Sequence, residues 1–225
     1  MEEGRVTSSS LIAIAPGTED AARHLGKLHR CSFGVHLVAT EFRPLSSHPC
    51  LAPLLNENGE FAGNLSRVNI TPAIADGIFT EWCAQMDRAL QLGVQISHLD
   101  SHHHVHTYPR LFPVVKQIQK KYCIRKVRLT RNLYNPGERL PTRLRLAKYF
   151  WNLALRSYVP TITTKGFTSF DVFYQLIAAG HSLPDTLELM CHPGAENSAH
   201  ETALLRTNWK QEFASGAQLI SYDLL

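Results

Sequence analysis

The chain has 225 residues, 44% of them apolar and 19% charged, enough for one packed domain and too apolar for a disordered chain. Its formal charge of +4 is too mild to imply nucleic acid, but between Lys116 and Lys148 eleven Lys/Arg stand against one acid, Glu138, so an anionic partner or substrate is expected along one face. The five scattered cysteines form no C-x-x-C pair, which speaks against a disulfide scaffold or zinc ribbon, and no apolar run approaches the ~18 residues of a membrane span. With an acidic start at Met1-Glu2-Glu3 and only a short apolar run at Leu11–Ala15, a signal peptide is not expected, and the cytoplasm is.

Val6–Ile14 reads as a strand, and Thr18 opens a helix to about His29 with Glu19 and Asp20 in its first turn. Ser32–Thr40 reads as a second strand, and residues 41–70, punctuated by Pro44, Pro49, Pro53, Asn58 and Gly59, as a loop-rich excursion. A long helix starts at Thr71-Pro72, a cap followed by proline at the first helical position, and stops at Gly93. Val94–Leu99 is the next strand and Pro109–Tyr122 the next helix, followed by a strand at Lys126–Thr130. Helices over Thr142–Tyr158 and Thr168–Ala179, a strand at Leu187–Met190, a helix over Glu201–Phe213 and a closing strand at Gln218–Tyr222 complete the chain. This alternation predicts a parallel α/β fold in a single domain, 1–225, whose six or seven units fit a (β/α) barrel better than a short open sheet. In such barrels chemistry sits at the C-terminal strand ends.

Histidines fall at those ends. Of twelve, five lie in the segment His98-Leu99-Asp100-Ser101-His102-His103-His104-Val105-His106, which begins in a strand and runs off its end. His36, in Gly34-Val35-His36, and His192, in His192-Pro193-Gly194, close two other apolar strands. Three strand ends thus deliver imidazole towards one mouth, and imidazole is both the commonest ligand for zinc-like ions and a general acid or base near neutral pH. A lone His36 on a strand more often reads as a satisfied core histidine, whereas five rings in nine residues are costly to pack without a role. Strand alternation puts Asp100 on the face of His98 and His102, where it either orients a ligand ring or approaches an ion itself.

At these residues the chain resembles the YdjC-like carbohydrate deacetylases, the family of chitooligosaccharide and hopanoid-associated deacetylases. The matching segments are Gly4 through Ser10, Gly34-Val35-His36-Leu37, His98 through Phe112, Val127-Arg128-Leu129, Leu187 through Pro193 and Leu219 through Tyr222, in order along almost the whole chain. The resemblance implies a distorted (β/α) barrel of about seven units that removes an acetyl group from an N-acetylated sugar or glycan with one divalent ion, magnesium or zinc. It maps the metal ligands onto His36 and His102 and matches His192, the candidate general acid, to the family's C-terminal His-Pro segment. The residues themselves add Asp100 as a catalytic candidate and Arg128, His104 and His106 towards the substrate, with a barrel-rim ion pair as the alternative for Arg128. Family members open with a strand ending in two aspartates, one a metal ligand and the other the base. Here the segment that follows it begins at Gly4, so the resemblance implies a chain lacking its first βα unit, with weakened metal binding and turnover and an open strand edge that favours a homo-oligomer.

Two other functions compete. His104-Val105-His106 is a His-x-His of the kind found in amidohydrolase and phosphoesterase barrels, and a sugar-binding relic would keep the pocket without the chemistry. Two readings of the helix at 142–158 also stay open. Arg139, Arg143, Arg145 and Lys148 are interleaved with Leu140, Leu144, Leu146, Tyr149, Phe150 and Trp151, which suits either a barrel helix packing its leucines inward or a helix lying on an anionic membrane, the latter pointing to a lipid-linked glycan.

Overall fold

A computed structural model describes Met1 and residues 4–195, 198–213 and 216–225; the acidic pair Glu2-Glu3 lies outside them. Three strands, β1 (Ser8–Leu11), β2 (Ser32–Leu37) and β3 (Ile96–Ser101), form a parallel sheet in that order. Ser10 lies beside Gly34, and His36 beside Asp100, so polar residues from all three strands arrive at one level near their C-terminal ends. A second parallel sheet pairs β4 (Gly166–Ser169) with β5 (Leu187–Met190). Among the described residues seven α-helices are interspersed: α1 (Thr18–Leu25), α2 (Pro72–Gln91), α3 (Phe112–Tyr122), α4 (Thr142–Ser157), α5 (Phe170–Ala178), α6 (Ala199–Leu205) and α7 (Trp209–Phe213).

The stretch expected as a strand at Lys126–Thr130 forms only isolated bridges. It is nonetheless the seam between the sheets: Leu99 N donates to Lys126 O (2.9 Å), Arg128 N to Leu99 O (3.0 Å), and Val127 N to Ile162 O (3.2 Å). Asn132 N then reaches Phe167 O on β4 (3.3 Å). Its neighbour around Ile162 is too short and irregular to extend the ladder. Two further expectations are corrected. Thr168 belongs to β4, and α5 starts at Phe170 because the Ser169 side chain accepts from Val172 N as the cap. The closing strand at Gln218–Tyr222 is an irregular segment, tied to β1 by side chains: Thr7 Oγ1 donates to Ile220 O (2.7 Å), and Tyr222 N to Ser8 Oγ (2.9 Å) and Ser32 Oγ (3.0 Å). These pairings establish a mixed α/β fold with parallel sheets, but not a closed barrel of seven units.

The core forms where α2 covers the first sheet. Thr71 caps the helix by accepting from Ile74 N (3.3 Å), and Ile74, Ile78, Trp82, Met86 and Ala89 recur at helical spacing on the buried side. Trp82 donates its indole N–H to Val38 O (3.1 Å). Glu81, fully buried, accepts from Leu45 N (3.1 Å), Ser46 N (2.7 Å) and Gln85 Nε2 (2.8 Å), which pins the start of the 41–70 excursion beside the end of β2. A smaller cluster of Phe170, Phe173, Leu205 and Trp209 backs the second sheet.

Candidate active site at the strand ends

Asp100 is completely buried and has three donors from three segments. His36 Nδ1 lies 2.8 Å from Oδ1, Ser10 Oγ donates to Oδ2 (3.0 Å), and Arg128 approaches Oδ2 at 2.5 Å. Burial alone raises its pKa, but Arg128 and His36 prevail and hold the carboxyl well below the usual carboxylate range. Asp100 is therefore an anion that accepts a hydrogen bond from His36 Nδ1–H and leaves Nε2 available to a ligand. A metal-bound histidine is oriented in the same way. Arg128 joins the two sheets electrostatically: its Nε donates to Glu188 Oε1 (2.7 Å) on β5, and Tyr222 O–H to Glu188 Oε2 (2.6 Å). Burial works against the guanidinium charge, and the Asp100 and Glu188 carboxylates override it, so its pKa rises.

Immediately after β3 the backbone kinks. His103 and His104 both take left-handed conformations (φ 51° and 54°), which cost non-glycine residues on the order of 1–3 kcal/mol each. The kink gives the imidazoles different partners, although the His102 and His103 rings stay in contact with centroids 3.9 Å apart. His102 turns back to His36, with ring centroids 5.7 Å apart, and its Nε2 meets Glu41 Oε2 at 2.6 Å. Partial burial and the His103 ring lower the His102 pKa against the pull of Glu41. His103 Nδ1 pairs with Thr40 Oγ1 (3.0 Å). His104 packs edge-on to Phe167, and its buried Nδ1 has no hydrogen-bond partner among the described residues; burial pushes its pKa down to about 4.

The other two rings of the cluster belong to the fold. His98 lies between Gly34 and the Tyr222 ring, stacked on the latter at 3.9 Å, and burial takes its pKa down to about 3. His106 shares Nδ1 with Ser101 Oγ (2.5 Å) and Nε2 with Arg128 O (3.1 Å), is buried, and is likewise pushed to about 3 by burial. The structure thus brings His36, Asp100, Arg128, His102 and His104 together. His106, expected at the substrate, has both ring nitrogens engaged inside the protein. His192, expected as a catalytic acid, stands outside this network with its side chain 57% exposed. Its backbone N–H donates to Glu201 Oε2 (2.8 Å), and Nδ1 lies 4.0 Å from the same oxygen. Sequence reasoning missed Ser10, Glu41, Glu188 and Tyr222. The signal for Glu188 was a lone carboxylate inside the apolar run Leu187–Met190; Ser10, inside a strand, and Glu41, just after one, carried no further signal.

Among the described residues no group of three His, Cys, Asp or Glu side chains is placed to hold a metal ion. What is present fits one in part: two imidazoles at one level, with a buried carboxylate fixing the tautomer of the first.

A family model described as YdjC-like protein matches residues 1–218. The carbohydrate deacetylase of Geobacillus stearothermophilus is 38% identical over 196 residues, which cover 85% of this chain and 69% of that one. The carbohydrate deacetylase of Vibrio cholerae serotype O1 (strain O395) is 34% identical over 122 residues, 54% of this chain and 47% of its own length, so only about half of that relative is matched. A crystal structure from Enterococcus faecalis V583, described as that of a candidate cellobiose-phosphate cleavage protein, superposes with a TM-score of 0.75 over 99% of this chain and 90% of that one. At 21% identity that likeness speaks to the fold alone. The match along nearly its full length, together with the Geobacillus relative, places this chain in the YdjC-like family.

Proposed function

We propose that the chain is a carbohydrate deacetylase that hydrolyses the acetamide of an N-acetylated sugar or glycan with the help of one divalent ion, magnesium or zinc. The observation that supports this most directly is the Asp100–His36 pair, 2.8 Å apart, with the His36 ring centroid 5.7 Å from that of His102. His36 and His102 would hold the ion, which when bound supplies an acidified water and polarises the acyl oxygen. Asp100 keeps the His36 proton at Nδ1, and Ser10 and Arg128 keep Asp100 in place. The unpartnered Nδ1 of His104 is the polar atom within the cluster that a substrate hydroxyl or amide can satisfy. His192, exposed and 4.0 Å from Glu201, is the candidate donor to the leaving amine. The His-x-His reading of residues 104–106 loses support because His106 has no nitrogen left for an ion.

The test measures acetate release from N-acetylglucosamine oligomers alongside metal content by mass spectrometry. Release of acetate, with metal stoichiometry falling in both His36→Ala and His102→Ala, is the expected result. Unchanged stoichiometry in both variants removes the ligand assignment, and a metal-loaded protein that releases no acetate from any N-acetylated glycan removes the reaction.

A further inference from the structure

Helix α4 is apolar on two opposite sides. At about 100° per residue, Trp151, Asn152 and Leu155 share the side that faces the body of the protein, and all three are buried. Leu146, Tyr149, Phe150 and Leu153, spaced i, i+3, i+4 and i+7, form a second stripe on the far side and are 49%, 62%, 60% and 48% exposed. With Leu144 and Tyr158 they make six of the nine large apolar side chains exposed among the described residues. Such side chains scattered singly need no explanation, but a concentration of them on one element does. The expectation that this helix packs its leucines inward is met only by Leu155; Leu144 and Leu146 are in water.

Charge decides what covers the stripe. No acid occurs between Arg139 and Ser157, while Arg139, Arg143 and Arg145 surround the N-terminal half of the helix. On one flank Arg145, Lys148 and Arg156 line a cleft of about 770 Å³ together with Arg131, Lys165 and a single acid, Glu138. A second copy of this chain packed on the stripe helix to helix would set cation against cation. Single-stranded nucleic acid would pair the arginines and stack the two rings but leave Leu146 and Leu153 in water. A layer of anionic headgroups over hydrocarbon satisfies both the arginines and the leucines.

We propose that the outer face of α4 docks this protein on an anionic lipid surface. The docking face is separate from the histidine cluster and does not depend on the reaction that cluster performs.

Co-sedimentation with vesicles of phosphatidylcholine alone, and of phosphatidylcholine mixed with phosphatidylglycerol, tests the proposal. Binding is expected to the mixed vesicles only and to weaken with salt. The double variant Leu146→Glu with Phe150→Glu should lower partition at least about tenfold, whereas Leu90→Glu, at an exposed site on α2, should leave it unchanged. Should the double variant fail to fold, Arg143→Gln and Arg145→Gln replace it, each expected to weaken partition roughly fivefold. Negligible binding to both vesicles at low salt overturns the proposal, as does binding indifferent to these variants. Tight binding of a single-stranded oligonucleotide without vesicle binding, or a dimer that the double variant dissolves, gives the face to another occupant.

Discussion

Asp100 accepts from Ser10, His36 and Arg128, each on a different segment, so replacing it has both a local and a long-range effect. In Asp100→Asn the side chain keeps its shape but Arg128 loses one of its two buried carboxylates, a change of the kind that costs about 3–5 kcal/mol. The same variant frees the His36 tautomer, and if His36 holds an ion as proposed, a 10–100-fold loss of metal affinity is expected. Urea unfolding and a metal titration measure the two effects separately. Glu41→Gln, at the exposed end of the cluster, should cost under ~1 kcal/mol. His98 and His106 set an acid limit. Both are neutral when folded, with values near 3 caused by burial, against 6.5 when unfolded. Their contribution to stability is complete above about pH 6.5 and is lost as pH falls from there towards 3, each ring adding a slope of up to ~1.4 kcal/mol per pH unit. Asp100, whose pKa is lowered, acts with the same sign in a more acidic window. A urea midpoint that stays level between pH 7 and 4.5 would contradict this.

At the scale of elements, β2 and β3 approach so closely that a Cβ on Gly34 would lie 2.6 Å from His98 O and 2.7 Å from its ring. Gly34→Ala must push His98 against Tyr222 or open the sheet, and a loss of about 1–3 kcal/mol is expected in thermal unfolding. A melting temperature equal to the parent's would refute the contact. The long helices were legible in sequence because their punctuation is local: Thr71-Pro72 and Gly93 bracket α2, and Thr142 opens α4. Lys126–Thr130 was less legible because whether a strand ladders depends on its neighbours, and the one around Ile162 is irregular. The histidine cluster could be read as a cluster, since five rings in nine residues stand out in any composition. Its division of labour could not. Only folding shows that His98 and His106 have partners inside the protein while His104 has an unpaired nitrogen. The outward stripe of α4 was present in the spacing, but the same spacing permits inward packing until the rest of the chain has chosen a side.

For the molecule as a whole, no helix among the described residues is long and apolar enough to cross a membrane. The flank of β1 is held by the C-terminal segment through side chains in place of a strand ladder. Removing residues 219–225 would uncover that flank, leave the Ser8 and Ser32 hydroxyls and Glu188 without their Tyr222 partner, and favour self-association, which light scattering would detect. The milder Tyr222→Phe removes one hydroxyl from a buried carboxylate and should cost about 1–3 kcal/mol. Retention of full stability by both changes would show the tie to be incidental. The same tie bears on how the protein is made. Thr7 meets Ile220 across 213 positions and Ser8 meets Tyr222 across 214, so these contacts close the longest loops in the chain. Tyr222 is synthesised after β1, β2 and β3. The stack on His98 and the clamp on Glu188 therefore cannot form until all three strands of the first sheet have been made.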